Sequence, residues 1–207
     1  MSFALLLIIA TPVLFMSGCG KKNTTVHVDG FYVKHVLISF PDEFYQLRAD
    51  GFEPNRYDWV DTLVATNNET KVERPFWGTG GLYEEMTNAL RPLSGQDALN
   101  KFDEFIQKYN DDPGMFDPVY AKGYLISLQQ SLFVPEFEQL SRVLFGGQTQ
   151  YEPNNNFNPN NSIGNAFMPN EYWSNGIEHG IHKQGELGYA ITDFGIHIII
   201  VSGLSTR

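Results

Sequence analysis

The apolar positions of this chain change period along its length, and each change marks an element. Residues 31–40 (Phe-Tyr-Val-Lys-His-Val-Leu-Ile-Ser-Phe) carry aliphatic or aromatic side chains at odd and even positions alike. Residues 196–201 near the C-terminus do the same. A strand that is apolar on both sides is covered on both faces, so both segments predict central strands of a sheet. Pro41-Asp42 ends the first. Leu82, Met86, Ala89 and Leu90 share a helical face and predict a helix over about 82–90, stopped by Arg91-Pro92. Ala98, Phe102, Phe105, Ile106 and Tyr109 form the stripe of a second helix, with Ser94 or Asp97 able to cap its start. Asp111-Asp112-Pro113-Gly114 signals a turn, and 123–128 reads as a short strand. Residues 135–145 predict another helix: Pro135 suits the first turn, Phe137, Leu140, Ser141 and Leu144 line one face, and Gly146-Gly147 ends it. Strands at 187–191 and 196–201 form a closing hairpin around residues 192–195. This order implies an α+β domain with an antiparallel sheet.

Two stretches resist this pattern, about 41–81 and 146–184. In the first, Trp59-Val60 and Leu63-Val64 fit a short helix or a strand, and Pro75 and Gly78 to Gly81 break the run. The second holds an Asn/Pro segment over 153–161 with no apolar face to bury. Trp59, Phe76, Trp77, Tyr172 and Trp173 fall in these insertions. They either pack the insertions onto the domain or extend a peptide-binding surface. His179 and His182 stand three apart near Glu178 and Glu186, a spacing that can bind metal. Gly176, Gly180 and Gly185 deny them a helix, so no metal site and no cofactor are assigned.

The N-terminus bears on location. The apolar run of residues 3–15 is shorter than the ~20 residues of a membrane-spanning helix. It has the length of a signal-peptide core, although no Lys or Arg precedes it. Residues 1–18 are read as a signal peptide, 19–30 as a polar tether and 31–207 as the domain. Met16-Ser17-Gly18-Cys19 resembles a bacterial lipobox. That resemblance implies diacylglycerol on the Cys19 thiol and a domain held on the extracytoplasmic face of the cell membrane. The competing reading is an ordinary secretory signal with a coincidental cysteine. Cys19 is the only cysteine, so no disulfide forms within the chain. The net charge of −10 argues against nucleic acid and anionic headgroups as electrostatic partners.

The candidate chemistry lies in the two central strands. Each places a histidine, His35 or His197, among aliphatic residues. A buried imidazole needs hydrogen-bond partners: if the two strands are neighbours in one sheet the rings can share one network, and the alternative is two independent core histidines, each bonded to backbone. Ser39, Ser127 and Ser141 lack the surroundings of a nucleophile elbow.

At these residues the chain resembles the parvulin family of peptidyl-prolyl cis/trans isomerases. Lys34-His35-Val36-Leu37-Ile38 looks like the family's first-strand histidine motif. Phe105 through Tyr109-Asn110-Asp111-Asp112 looks like its helix and following turn. Val134-Pro135-Glu136-Phe137-Glu138 looks like the segment that places a pocket phenylalanine. Gly185-Glu186-Leu187, then Thr192-Asp193-Phe194-Gly195-Ile196-His197-Ile198-Ile199, looks like the C-terminal signature. The family's Gly-Asp-Leu-Gly strand is replaced here by Gly123-Tyr124-Leu125-Ile126, and Ser131 stands for a usual Gly.

The resemblance implies a parvulin-like four-stranded antiparallel sheet surrounded by about four helices, with the two stretches above as insertions. It implies His35, Asp112, Thr192 and His197 as the catalytic network, and Leu125, Phe133 and Phe137 as the wall of a proline pocket. Asp at position 112 together with a lipid anchor is similar to the PrsA type of extracytoplasmic foldase. The expected activity is prolyl isomerisation on unfolded or Pro-containing exported polypeptides, with no cofactor. The alternative is a catalytically weak parvulin scaffold acting as a chaperone or binding module for such chains. A third reading, a surface lipoprotein for another ligand, rests on the insertions alone.

Overall fold

The two histidine-bearing segments are neighbours at the centre of one sheet. The computed structural model describes residues 28–146, 163–168 and 185–206. The first half comprises β1 (Val28–Ser39), α1 (Asp42–Ala49), α2 (Tyr57–Val60), β2 (Val64–Thr66), β3 (Glu73–Pro75) and α3 (Leu82–Leu90). The second half comprises α4 (Gly95–Tyr109), two short 3-10 turns (Pro113–Phe116 and Pro118–Tyr120), β4 (Tyr124–Ser127), α5 (Pro135–Phe145), β5 (Tyr189–Thr192) and β6 (Gly195–Thr206). The main sheet has the order β4-β1-β6-β5, every pair antiparallel, and β2 and β3 form a separate ribbon.

Both faces of the sheet are covered, which is why the middles of β1 and β6 carry apolar residues of both parities. On one face Phe31, Val33, Ile126, Ile199 and Val201 pack against Phe137, Leu140 and Leu144 of α5. On the other, Val36, Ile38, Ile196, Ile198 and Ile200 meet Met86 of α3 and Phe102 and Ile106 of α4. The stripe of α4 lies on this second core as its spacing predicts. Ser94 occupies the N-cap of α4, but its side chain makes no capping bond. Pro135 begins α5, and Gly146 ends it in the left-handed conformation at φ 92°.

Two features differ from the sequence expectation. Among the described residues five α-helices are present rather than about four, because α1 and α2 form inside the 41–81 stretch. Only Phe44 of α1 and Val60 of α2 are buried, too few for a readable stripe. β1 starts at Val28, within the segment read as a tether. A Cβ on Gly30 would collide with the Ile126 carbonyl of β4, so this glycine permits the close pairing. Within the second stretch, residues 165–168 pack on the rest of the domain. Ala166 and Met168 are buried, and Asn165 Nδ2 donates to the Leu144 carbonyl at 2.9 Å.

In the first insertion, Trp59, Phe76 and Trp77 pack onto the second core, and Trp77 Nε1 donates to the Val60 carbonyl at 3.0 Å. Tyr172 and Trp173, the 153–161 segment, His179, His182 and the signal region with Cys19 lie outside the described residues. Among the described residues, no helix is long and apolar enough to cross a membrane.

Candidate functional site

Strand register brings the histidines together. His35 of β1 faces Ile199 of β6, and His197 faces Leu37, so the imidazoles are diagonal neighbours on one sheet face. Their rings stack with centroids 5.0 Å apart and planes 12° apart. The two Nδ1 atoms are 2.8 Å apart, within hydrogen-bond distance.

Asp112 reaches this pair because the turn after α4 is stitched to the end of β1. The Leu37 N–H donates to Asn110 Oδ1 at 2.8 Å, and the Asp111 N–H donates to the Leu37 carbonyl at 2.9 Å. The Ser39 N–H donates to Asp111 Oδ2, also at 2.8 Å. Asn110 Nδ2 then donates to the Asp112 carbonyl at 2.6 Å. Held there, Asp112 Oδ2 bonds to His35 Nε2 at 2.8 Å, and Oδ1 accepts the Gly114 N–H at 2.8 Å. Thr192 closes the other end. Its Oγ1 is 2.8 Å from His197 Nε2 and accepts the Phe194 N–H at 3.1 Å.

Sequence reasoning missed one member. The Tyr124 hydroxyl donates to Asp112 Oδ2 at 2.7 Å. A Cβ on Gly114 would occupy the place of that hydroxyl, so the glycine makes the contact possible. The signal was present in β4: Tyr124, Ile126 and Leu128 share one parity, the more apolar one. Tyr124 and Ile126 therefore take the face of the histidines, while Leu125 registers against Tyr32 on the opposite face and is 40 % exposed. Leu125 is the one expected pocket residue that the fold does not bring to the others.

The remaining apolar residues do converge. The Phe137 ring meets His35 and His197 edge-on, each at 5.2 Å. Phe133 lies 5.5 Å from Phe137 and 5.5 Å from Tyr124, and Tyr120 lies 4.8 Å from Tyr124. An aromatic wall thus runs from the buried imidazoles to the surface.

Donor and acceptor rules fix the direction of this chain. Burial opposes ionisation of Asp112, but hydrogen bonds from His35, Tyr124 and the Gly114 N–H outweigh it and hold the carboxyl well below its usual range. Burial, then the neighbouring Asp112, pushes the Tyr124 phenol well above its ordinary value. Burial, then His35, holds His197 well below the usual imidazole range, against the pull of Asp112. Asp112 is therefore an acceptor only, and His35 Nε2 donates to it. In a neutral His35, Nδ1 then accepts from His197 Nδ1–H, and His197 Nε2 accepts the Thr192 hydroxyl proton. Ser141 is buried on α5, donates to the Phe137 carbonyl at 2.8 Å and is committed to its own helix.

The His197 environment predicts a pH dependence. Its folded pKa lies below the unfolded value of about 6.5. The stabilising contribution is therefore complete above about pH 6.5 and is lost as pH falls toward the folded pKa. Unfolding free energy is expected to fall by up to ~1.4 kcal/mol per pH unit below that point. Urea titrations of wild type and His197→Gln between pH 7.5 and 5 measure it. Equal slopes in the two proteins would refute the assignment.

Five segments thus contribute one connected constellation: β1 (His35), the turn after α4 (Asp112), β4 (Tyr124), α5 with the segment before it (Phe133, Phe137), and the closing hairpin (Thr192, His197). No family model, no curated protein and no solved structure matches this chain.

Proposed function

We propose that this chain is a peptidyl-prolyl cis/trans isomerase, lipid-anchored through Cys19 on the extracytoplasmic face, that assists the folding of exported proteins. The observation that carries this reading is the hydrogen-bonded chain Thr192–His197–His35–Asp112 lying directly against the Phe137 ring. The sequence resemblance to parvulins at the same residues supports it.

The reaction asks little of a protein. An X-Pro bond isomerises over a barrier of roughly 20 kcal/mol, through a twisted amide. A site lowers that barrier by binding the twisted form better than the planar one. Phe133 and Phe137 offer an apolar wall for the proline ring. Planar amide resonance places negative charge on the carbonyl oxygen, and twisting withdraws it. A fixed carboxylate, Asp112, on the carbonyl side disfavours the charge-separated form and so favours the twist. The neighbouring hydrogen-bond chain holds that charge in place.

A protease-independent isomerisation assay on short X-Pro peptides tests the reading. Wild type is expected to accelerate the exchange. Asp112→Asn, which keeps the shape and loses the charge, is expected to lower kcat about tenfold or more while the protein stays folded. Wild type without measurable isomerisation, yet suppressing aggregation of an unfolded client, would replace the enzyme by the binding module. The anchor is read from the mass of the mature protein: residues preceding Cys19 still attached would remove it.

A further inference from the structure

The 41–81 insertion directs several polar side chains at one small region. Tyr45 donates from its hydroxyl to the Phe194 carbonyl at 2.8 Å. Arg48 Nη1 lies 3.2 Å from Asp193 Oδ2. Arg56 spans further: Nη1 lies 3.3 Å from Asp193 Oδ1, and Nη2 donates to Glu136 Oε1. Its guanidinium also donates to the Tyr57 hydroxyl, at 3.2 Å from Nε and 3.0 Å from Nη2. The Arg56 side chain is largely enclosed, and so is that of Glu136.

The partners of Arg56 are sequence neighbours of the site. Asp193 follows Thr192, and the Phe194 N–H beyond it donates to the Thr192 hydroxyl that meets His197. Glu136 precedes Phe137, whose ring rests on both imidazoles. One guanidinium therefore joins the first turn of α5 to the β5–β6 turn, two segments that supply different parts of the constellation. A planar fork is suited to holding two carboxylates at once, whereas an ammonium acts as a single point charge.

We propose that Arg56 is a positioning residue of the site: the insertion acts as a brace that sets Thr192 and Phe137 against the histidine pair. This rests on the isomerase reading for its kinetic consequence but not for its structural one. The guanidinium faces two carboxylates of its own chain, so it does not select the substrate.

The test uses the full chain with Arg56→Ala, Arg56→Lys, Glu136→Gln and the double variant Arg56→Ala with Glu136→Gln. Two readouts are taken: the imidazole nitrogen signals of His197 at neutral pH, and kcat and KM on peptides with Ala or Glu before Pro. Arg56→Ala is expected to move the His197 Nε2 signal and to lower kcat about tenfold, equally for both peptides and with KM unchanged. Arg56→Lys restores part of both effects. The double variant is no worse than Arg56→Ala, because both changes break one linkage. Should Arg56→Ala fail to fold, Arg56→Lys and Glu136→Gln are expected to show the same shifts in milder form. His197 signals and kcat unchanged in the folded variants would overturn the proposal. A loss confined to KM for the Glu-containing peptide would overturn it too, making Arg56 a substrate contact. Wild type without isomerase activity would defeat the isomerase reading, and the His197 signals would still decide the brace.

Discussion

Phe137→Ala is expected to lower stability by about 3–5 kcal/mol and to remove most of the proposed isomerase activity. Two independent features make this a large effect. The side chain is 3 % exposed and sits among Ile126, Leu140, Leu144 and Ile199, so truncation opens a cavity that the sheet cannot fill by moving. Its ring also forms the lid on the two imidazoles, edge-on to each at 5.2 Å. Removing the lid admits water to the His35–His197 bond and withdraws the wall against which a proline ring would rest. Phe137→Leu separates the two roles. It keeps most of the volume and should cost roughly 1–2 kcal/mol, yet it loses the flat aromatic surface. Urea unfolding gives the stability arm, and the X-Pro peptide assay gives the activity arm. A Phe137→Leu protein with full activity would show that the aromatic ring takes no part in holding substrate.

The fold was legible where burial is two-sided and illegible where it is thin. β1 and β6 carry apolar residues of both parities along their middles, and that marks them as central strands. Their pairing then follows from sheet topology, and the diagonal His35–His197 contact follows from the pairing. The stripe of α4 and the Pro135 and Gly146 ends of α5 were readable for the same reason: each has one clear face or one clear stop. α1 was not readable, because a helix that buries only Phe44 has no face to announce it. At the site, Asp112 was legible through its motif, whereas its ties through Asn110 and Gly114 depend on tertiary packing.

Leu125 and Tyr124 show the limit most clearly. Motif matching selected Leu125, and strand alternation selects Tyr124. In a strand of only Tyr124–Ser127, one residue of phase decides which side chain meets Asp112. The Tyr124 hydroxyl fills an acceptor position on the same Asp112 oxygen that His35 uses. Tyr124 is thus part of the site itself and not a bystander beside it.

Glu138→Ala should be the second large loss, about 3–5 kcal/mol. Glu138 and Arg142 are four apart on α5, and both side chains are buried, 6 % and 9 % exposed. Oε1 accepts from Arg142 Nε at 3.1 Å and Nη2 at 2.5 Å. Oε2 accepts the Ser131 hydroxyl at 2.8 Å and the Leu132 N–H at 3.2 Å. Arg142 Nη2 in turn donates to the Ser127 carbonyl at the end of β4, at 2.6 Å. One carboxylate therefore ties α5 to the segment that delivers Phe133 to the aromatic wall. Truncating it takes the carboxylate away from a guanidinium that stays buried and releases the loop donors, which is the costly way to break an ion pair. Burial alone would raise the pKa of Glu138, but the bonds from Arg142 and Ser131 prevail and lower it. Its stabilising contribution is thus present above the unfolded value of about 4.3 and is lost as pH falls through the lower folded value. Glu138→Gln keeps the shape and one acceptor oxygen, so it should cost less than Glu138→Ala and should blunt the acid sensitivity below about pH 4.3. Replacing both partners, Glu138→Leu with Arg142→Met, should cost less than the two single losses combined, because no buried charge remains. Urea midpoints of these variants at pH 7, repeated at pH 3.5, measure each step. A Glu138→Ala protein as stable as wild type would mean that the loop before α5 is held by its own packing, and Phe133 would then keep its place on the wall without the ion pair.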